Sequence, residues 1–203
     1  MGRKANRQTG MRARIAAAAA RVMAEDGIDD FALAKRKAAR RLGAPDSQAL
    51  PANDEVEAEL RAYRALYQAD EHGKVLAELR RVALDAMRAL AEFTPYLTGP
   101  VLKGIAGAYS QIELQLFPDS AKDVEMFLLN RKLPFSTQEI RRYSGDRAHA
   151  ASVFMLDWQG VPVRLSVFDR RDERVALKTS QAGRAIDRAG IAEVGALLRD
   201  APR

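Results

Sequence analysis

The stretch Tyr96-Leu97-Thr98-Gly99-Pro100-Val101-Leu102-Lys103-Gly104-Ile105-Ala106-Gly107-Ala108-Tyr109-Ser110-Gln111-Ile112-Glu113-Leu114-Gln115-Leu116-Phe117 decides how the chain reads. From Gln111 to Leu116 it alternates strictly, Ile112, Leu114 and Leu116 against Gln111, Glu113 and Gln115. Successive side chains on a strand point to opposite faces, so this is a half-buried strand whose wet face carries Gln111, Glu113 and Gln115. Gly99-Pro100 ahead of it suits a helix start, because proline is favoured in the first helical position.

Upstream the period is helical. Residues 11 to about 25 place Ile15, Ala18, Ala19 and Val22 on one face, and Gly27 stops that helix. Residues 31–42 carry a thin apolar stripe (Ala34, Ala38, Leu42) with basic residues elsewhere, and Gly43 and Pro45 end it before a linker to Pro51. Asn53 is the expected N-cap of a third helix, with Asp54 and Glu55 favourably placed against its dipole and Val56, Leu60, Tyr63 and Tyr67 at helical spacing. Residues 74 to about 92 form a fourth helix that buries Leu76, Leu79, Ala83, Met87 and Leu90, closed by Thr94-Pro95.

Downstream the signals turn to strands. Ser120 with Asp123 opens a helix to about residue 131 with Val124, Phe127 and Leu128 inward. Residues 135–143 read as a strand, and 152–158 and 161–168 as two more joined through Gln159-Gly160. In the last of these Val163, Leu165 and Val167 face one way, Arg164 and Ser166 the other. Residues 181–199 read as helical segments interrupted at Gly190. The expected fold class is α+β: a helical N-terminal half followed by a mixed β-sheet with flanking helices. The expected organisation is a basic helical arm over residues 1–50, then a helical and α+β region over 51–203.

Composition narrows the chemistry. The 203 residues include no cysteine, which excludes disulfides, thiolate-held metals and a thiol nucleophile. His72 and His149 are far apart in sequence, read as surface residues, and form no His-based metal cage or triad. No apolar run reaches the roughly 18 residues of a spanning helix. The alanine run at residues 16–20 is followed by Arg21, Glu25 and Asp26, as in a helix of a soluble protein rather than a leader. A cytoplasmic protein without membrane contact is expected.

The net charge of +6 is unevenly spread, because residues 1–44 hold eleven basic and four acidic side chains. Arg36, Lys37, Arg40 and Arg41 lie on adjacent turns of one helix and, with the basic N-terminus, are candidates for salt-sensitive, sequence-independent nucleic-acid contact at about four to six phosphates. No aromatic precedes Phe31, so base stacking is not indicated. The other readings of this face are a solvated surface, a surface paired with the acidic run Asp54-Glu55-Glu57-Glu59, or a membrane-surface contact, for which large apolar anchors are missing.

The opening stretch resembles the signature of the nucleotidyltransferase superfamily: a Gly-Ser turn, a short helix, a second glycine, then Ser-Asp-Ile-Asp-Leu on a strand. Gly99, Gly104, Ser110, Ile112 and Leu114 match, and the resemblance covers about residues 93–170. It implies a small mixed sheet, a nucleoside triphosphate whose phosphates are held at the short helix, and Mg²⁺ held by carboxylates on one strand face. By that likeness Gly99, Lys103 and Ser110 are the phosphate-binding candidates. Glu113 is the catalytic and metal-binding carboxylate, and Asp169 a second one if the register of its strand slips.

The chain departs from the pattern at several positions. Pro100 stands where the family has the turn serine, Gln111 replaces the first aspartate, and the third carboxylate should fall where Arg164 and Ser166 stand. Arg164 is expected to reach Glu113 on the same sheet face, putting a guanidinium where a metal would sit. The resemblance therefore implies a catalytically degenerate member acting as a nucleotide- or RNA-binding or regulatory module, with a protein partner possible and no certain cofactor. The alternatives are an active Mg²⁺-dependent nucleotidyltransferase using Glu113, and a nucleic-acid-binding adaptor working through the basic helices. The pattern is also similar to short proteobacterial chains that carry the name UDP-N-acetylmuramate–alanine ligase. That activity needs a phosphate-binding P-loop, and no GxxxxGK[ST] motif is present.

Overall fold

The computed structural model describes residues 2–44, 49–144, 147–179 and 183–199, with side chains from Thr9 onward. Pro45 and Gln181, expected to end one helix and open another, lie outside these residues, as do the side chains of Arg3, Lys4 and Arg7. Backbone contacts divide the chain into two units, residues 1–75 with 107–110 and residues 76–106 with 111–203.

The first unit is helical: α1 (Gly2–Asp26), α2 (Phe31–Arg41), α3 (Asn53–Tyr67) and the first part of α4 (Ala69–Ala89). Helix α1 packs on both α2 and α3. Its buried stripe is Ile15, Ala16, Ala19, Ala20 and Val22, facing Ala34, Ala38, Val56 and Leu60 in a core where small side chains let the helices approach closely. Gly27 leaves α1 at φ 65°, where a residue without Cβ carries little strain. Asp30 opens α2, its Oδ1 accepting from the backbone N–H of Ala32 at 2.7 Å and of Leu33 at 3.1 Å. Helix α3 is capped one residue earlier than expected, at Ala52, whose N–H donates to Glu55 Oε2 at 2.7 Å. The expected arm of residues 1–50 lies within this unit, which continues through α3.

The second unit holds the sheet. Its elements after α4 are β1 (Tyr96–Thr98), α5 (Gly99–Lys103), β2 (Ile112–Leu116), α6 (Ala121–Asn130), β3 (Phe135–Ser144), β4 (Arg147–Trp158), β5 (Val161–Val167) and α7 (Ile191–Arg199). The strands form one sheet in the order β1-β2-β5-β4-β3, with β2 and β5 parallel and the other neighbours antiparallel. The chain is therefore α+β, helical first and mixed-sheet second. One face of the sheet is apolar across β1, β2, β5 and the second half of β4: Leu97, Ile112, Leu114, Leu116, Val163, Leu165, Phe154 and Leu156 are all buried there. At the edge of that face Trp158 Nε1 donates to Asp85 Oδ2 of α4 at 3.0 Å.

The other face divides in two. Toward the carboxyl ends of β2 and β5, Ala151 packs with Phe117, Phe168 and Leu177, and Tyr96, Ile140 and Val175 join them. The chain after β5 supplies that cover. It makes a 3₁₀ turn (Arg170–Arg174), bonds Lys178 to Tyr143 on β3, and bonds Ala189 to Leu97 on β1. Helix was expected from residue 181, yet among the described residues it is confined to α7, because the intervening backbone finds its partners on the sheet edges instead. Strand β4 starts five residues before the expected 152, since Arg147 to Ala151 stay in ladder with β3. Among the described residues no helix is long and apolar enough to cross a membrane.

Candidate functional site

Helix α5 is a single turn bracketed by two glycines in the left-handed region, Gly99 at φ 69° and Gly104 at φ 72°. Pro100 sits in its first turn, where a missing N–H leaves no bond unmade. At its other end Arg80 of α4 donates to the Val101 and Leu102 carbonyls at 3.3 and 3.4 Å, and Ile105 N–H returns to Pro100 O at 3.0 Å. Both glycines of the resemblance thus have a backbone reason. Gly99 has a second one: a Cβ there would lie 2.8 Å from Glu113 Cδ and Oε2, so the carboxylate occupies the space a side chain would fill.

The strand register sets what surrounds Glu113. It is paired with Thr98 on β1 and with Arg164 on β5, and one step along Gln115 is paired with Ser166. Neighbours in register project to the same face, so Arg164 stands on the face of Glu113 as expected. The expected direct contact is not made: among the described residues no ion pair or hydrogen bond joins the two. The carboxylate is turned toward Gly99, on the β1 side of its strand and away from β5. A second guanidinium is near. Burial first, and then the charge of Arg164, pulls the proton affinity of Arg142 down, while Glu113 opposes both, so the three charges share one field.

This surface is less wet than the alternation suggested. Gln115 is 3% exposed and Ser166 is 7% exposed, and the chain after β5 accounts for the cover. Three buried polar atoms on this face have no hydrogen-bond partner: Gln115 Oε1 and Arg164 Nε close to Glu113 and, further along β4, His149 Nε2. An unmet buried donor or acceptor costs roughly 1–3 kcal/mol, so one acceptor and one donor here stand ready for a polar group.

The remaining expected residues are distributed as follows. Gln111 is half-buried just ahead of β2, and Lys103 is half-buried at the end of α5. Ser110 belongs to the first unit and is 2% exposed. Its Oγ accepts from Gly107 N–H at 2.8 Å and donates to Asp29 Oδ1 at 3.1 Å, so its proton is spent within the first unit and none is left for a phosphate. Asp169 lies five positions beyond Arg164, about 16 Å along a strand, and does not join Glu113. It accepts from Arg171 N–H at 2.9 Å and, with Asp119, Arg170, Arg171, Glu173 and Arg174, lines an open cavity of about 610 Å³. Among the described residues no group of three or more histidines and carboxylates is placed to hold a metal ion.

The basic helix is partly neutralised from within its own unit. Lys37 Nζ and Arg41 Nη2 both reach Asp26 Oδ2, at 2.9 and 3.3 Å, and Lys37 above all lowers the pKa of that carboxyl. Arg36 and Arg40 are exposed one turn apart and make no ion pair among the described residues. The acidic run pairs elsewhere, Glu55 with Arg12 of α1 and Glu57 with Arg61.

His149 departs from the surface reading, while His72 is half-buried. His149 is 6% exposed on β4, its Nδ1–H donating to Asp172 Oδ1 at 2.8 Å. His72 Nε2 accepts from the Nη1 of buried Arg64 at 3.1 Å. Sequence reasoning passed over Arg142, Gln115 and His149. The alternation already put Gln115 on the Glu113 face, but its burial depends on the chain beyond residue 170. His149 lies on an extension of β4 that no apolar alternation announces, and Arg142, inside the expected strand 135–143, lies where the alternation does not tell which face is covered. No protein-family model matches the chain, and no curated protein matches it.

Proposed function

We propose that the chain is a nucleotidyltransferase-like module that binds a nucleotide or RNA through the polar face of its sheet and does not carry out metal-dependent transfer. The register of β2 against β5 supports this reading most: Arg164 stands opposite Glu113, where a metal-binding site needs another carboxylate. Two guanidiniums and one carboxylate favour an anion over a cation. The buried Arg164 Nε and Gln115 Oε1 add one donor and one acceptor for a ligand's polar edge. Gly99 keeps the backbone turn of the resemblance, and the Glu113 carboxylate packs against it.

Isothermal titration of ATP in EDTA and in Mg²⁺ tests the proposal, together with radiolabelled nucleotide transfer. The expected result is binding in EDTA that Mg²⁺ does not strengthen, loss of about tenfold or more in affinity for Arg164→Gln, and no transfer. Binding that appears only with Mg²⁺, or label transferred to an acceptor, overturns it.

A further inference from the structure

Strand β3 is an edge of the sheet, and most of that edge is left uncovered by the described residues. At the opposite edge Ala189 exchanges both backbone bonds with Leu97 of β1. At β3 the corresponding cover among the described residues is one residue: Tyr143 N–H donates to Lys178 O at 3.0 Å, and Lys178 N–H to Tyr143 O at 2.8 Å. That pair reveals the polarity of the strand. Tyr143 directs its N–H and C=O away from β4, and in an antiparallel ladder every second residue does the same. Phe135, Thr137, Glu139 and Arg141 therefore present their backbone groups outward. Among the described residues none of these groups has a backbone partner, and only the Arg141 carbonyl has a side-chain one, Arg142 Nη1 at 3.2 Å. The side chains of residues 136–139 are exposed on both faces of the sheet.

The open run is bounded at both ends. Lys178 closes it at Tyr143, and before Phe135 the chain turns back onto α6 through Lys132 at φ 55°, with Leu133 N–H bonded to Leu128 O at 3.0 Å. Its midpoint is Gln138. We infer that β3 is the docking edge for a second copy of this chain, paired antiparallel about a two-fold axis at Gln138 to join two sheets into one.

Bond count and charge choose this register over its neighbours: an axis at Thr137 leaves Arg141 opposite residue 133, outside the strand, and so pairs three of the four outward residues. Centred on Gln138, Thr137 opposes the partner's Glu139 and Phe135 opposes the partner's Arg141, so no like charges are directly opposed. Moving the axis to Glu139 sets carboxylate against carboxylate, a destabilising pair. Moving it to Ile140 drives the partner strand into the place held by Lys178. The chosen register pairs the outward groups of the two copies into about eight hydrogen bonds. A seven-residue strand pair buries less than the roughly 800 Å² per partner of a standard stable interface, so the dimer is weak and concentration-dependent.

Sedimentation velocity from about 5 to about 500 µM reads the association. Thr137→Pro is the selective variant, because it removes an outward N–H and leaves every bond to β4 in place. The wild type is expected to shift from monomer to dimer with concentration. Thr137→Pro, checked for an unchanged circular dichroism spectrum, is expected to stay monomeric. The chain has no cysteine, so Gln138→Cys gives a second and independent readout. Facing residues in a non-hydrogen-bonded pair stand about 4.5 Å apart at Cα, a separation that a disulfide spans. Gln138→Cys should cross-link under mild oxidation at least tenfold faster than Met126→Cys, which is exposed on α6. A wild type that stays monomeric, a dimer that Thr137→Pro leaves intact, or equal cross-linking of the two cysteine variants overturns the inference.

Discussion

Replacing Gly99 by alanine tests whether the turn before α5 is built around the Glu113 carboxylate. Two effects add. Gly99 has φ 69°, and a residue with Cβ is about 1–2 kcal/mol less stable in the left-handed region. The new Cβ also falls 2.8 Å from Glu113 Cδ and Oε2, well inside van der Waals contact. The obstacle is the end of a flexible side chain, so Glu113 swings aside at about 1 kcal/mol in rotamer strain and lost packing. The sum for Gly99→Ala is about 2–3 kcal/mol. Glu113→Ala alone should be nearly neutral, and Gly99→Ala/Glu113→Ala should lose only the backbone part, leaving a coupling of about 1 kcal/mol. The assay is urea unfolding followed by Trp158, the single tryptophan, which is 8% exposed in the same unit. A Gly99→Ala variant within about 0.5 kcal/mol of wild type refutes the left-handed constraint. Full additivity refutes the steric one.

Four further outcomes follow from the geometry. Glu55, hydrogen-bonded first by Arg12 and then by Ala52 N–H, has its pKa lowered from 4.5 to about 2. A depressed carboxyl stabilises the fold above its unfolded value, and that contribution disappears as pH falls from about 4.5 through about 2. The Arg12 and Glu55 side chains are 43% and 39% exposed, so screening limits the effect to about 1 kcal/mol; Glu55→Gln should abolish this part of the acid dependence in a pH series of melts, and an unchanged profile speaks against the pair. Ser110→Ala leaves the Gly107 N–H without its acceptor and should destabilise by about 1–3 kcal/mol with no change in nucleotide affinity, whereas an affinity loss at constant stability would return Ser110 to the ligand site. Asp85→Ala removes the acceptor shared by Trp158 Nε1 and Gln159 Nε2 and should shift the tryptophan emission, at a loss of about 1 kcal/mol in urea unfolding. Arg36→Glu/Arg40→Glu should lower any RNA affinity and flatten its salt dependence, while Lys37→Ala/Arg41→Ala should have the smaller effect because both already bind Asp26; the reverse order refutes that distinction.

How much of this was legible in the residues varies with the reach of the interaction. The alternation at Ile112, Leu114 and Leu116 specified a strand and its faces, and the pattern at Val163, Leu165 and Val167 did the same for its neighbour. Side-chain direction is local and has period two, which is why Arg164 could be placed on the Glu113 face before any coordinates. Whether the two side chains meet depends on the third dimension. Glu113 leans toward Gly99, and nothing in a linear pattern says that a glycine fourteen positions upstream leaves room for it. Burial of Gln115 and His149 was invisible for a similar reason, since the chain beyond residue 170 covers them through long-range pairing with Tyr143 and Leu97. Ser110 matched a phosphate-binding pattern while its hydroxyl was committed to a backbone turn and to Asp29, eighty-one residues away.

The central claim is that the face around Glu113 has exchanged a cation's site for an anion's, and rebuilding the acid side chains tests it most directly. ATP affinity is measured by calorimetry for the wild type and for Gln111→Asp/Arg164→Asp, each in EDTA and in Mg²⁺. The account predicts the same affinity with and without Mg²⁺ for the wild type, and for the double variant weak binding in EDTA with a gain of at least about tenfold on adding Mg²⁺. A wild type that binds ATP only when Mg²⁺ is present contradicts it.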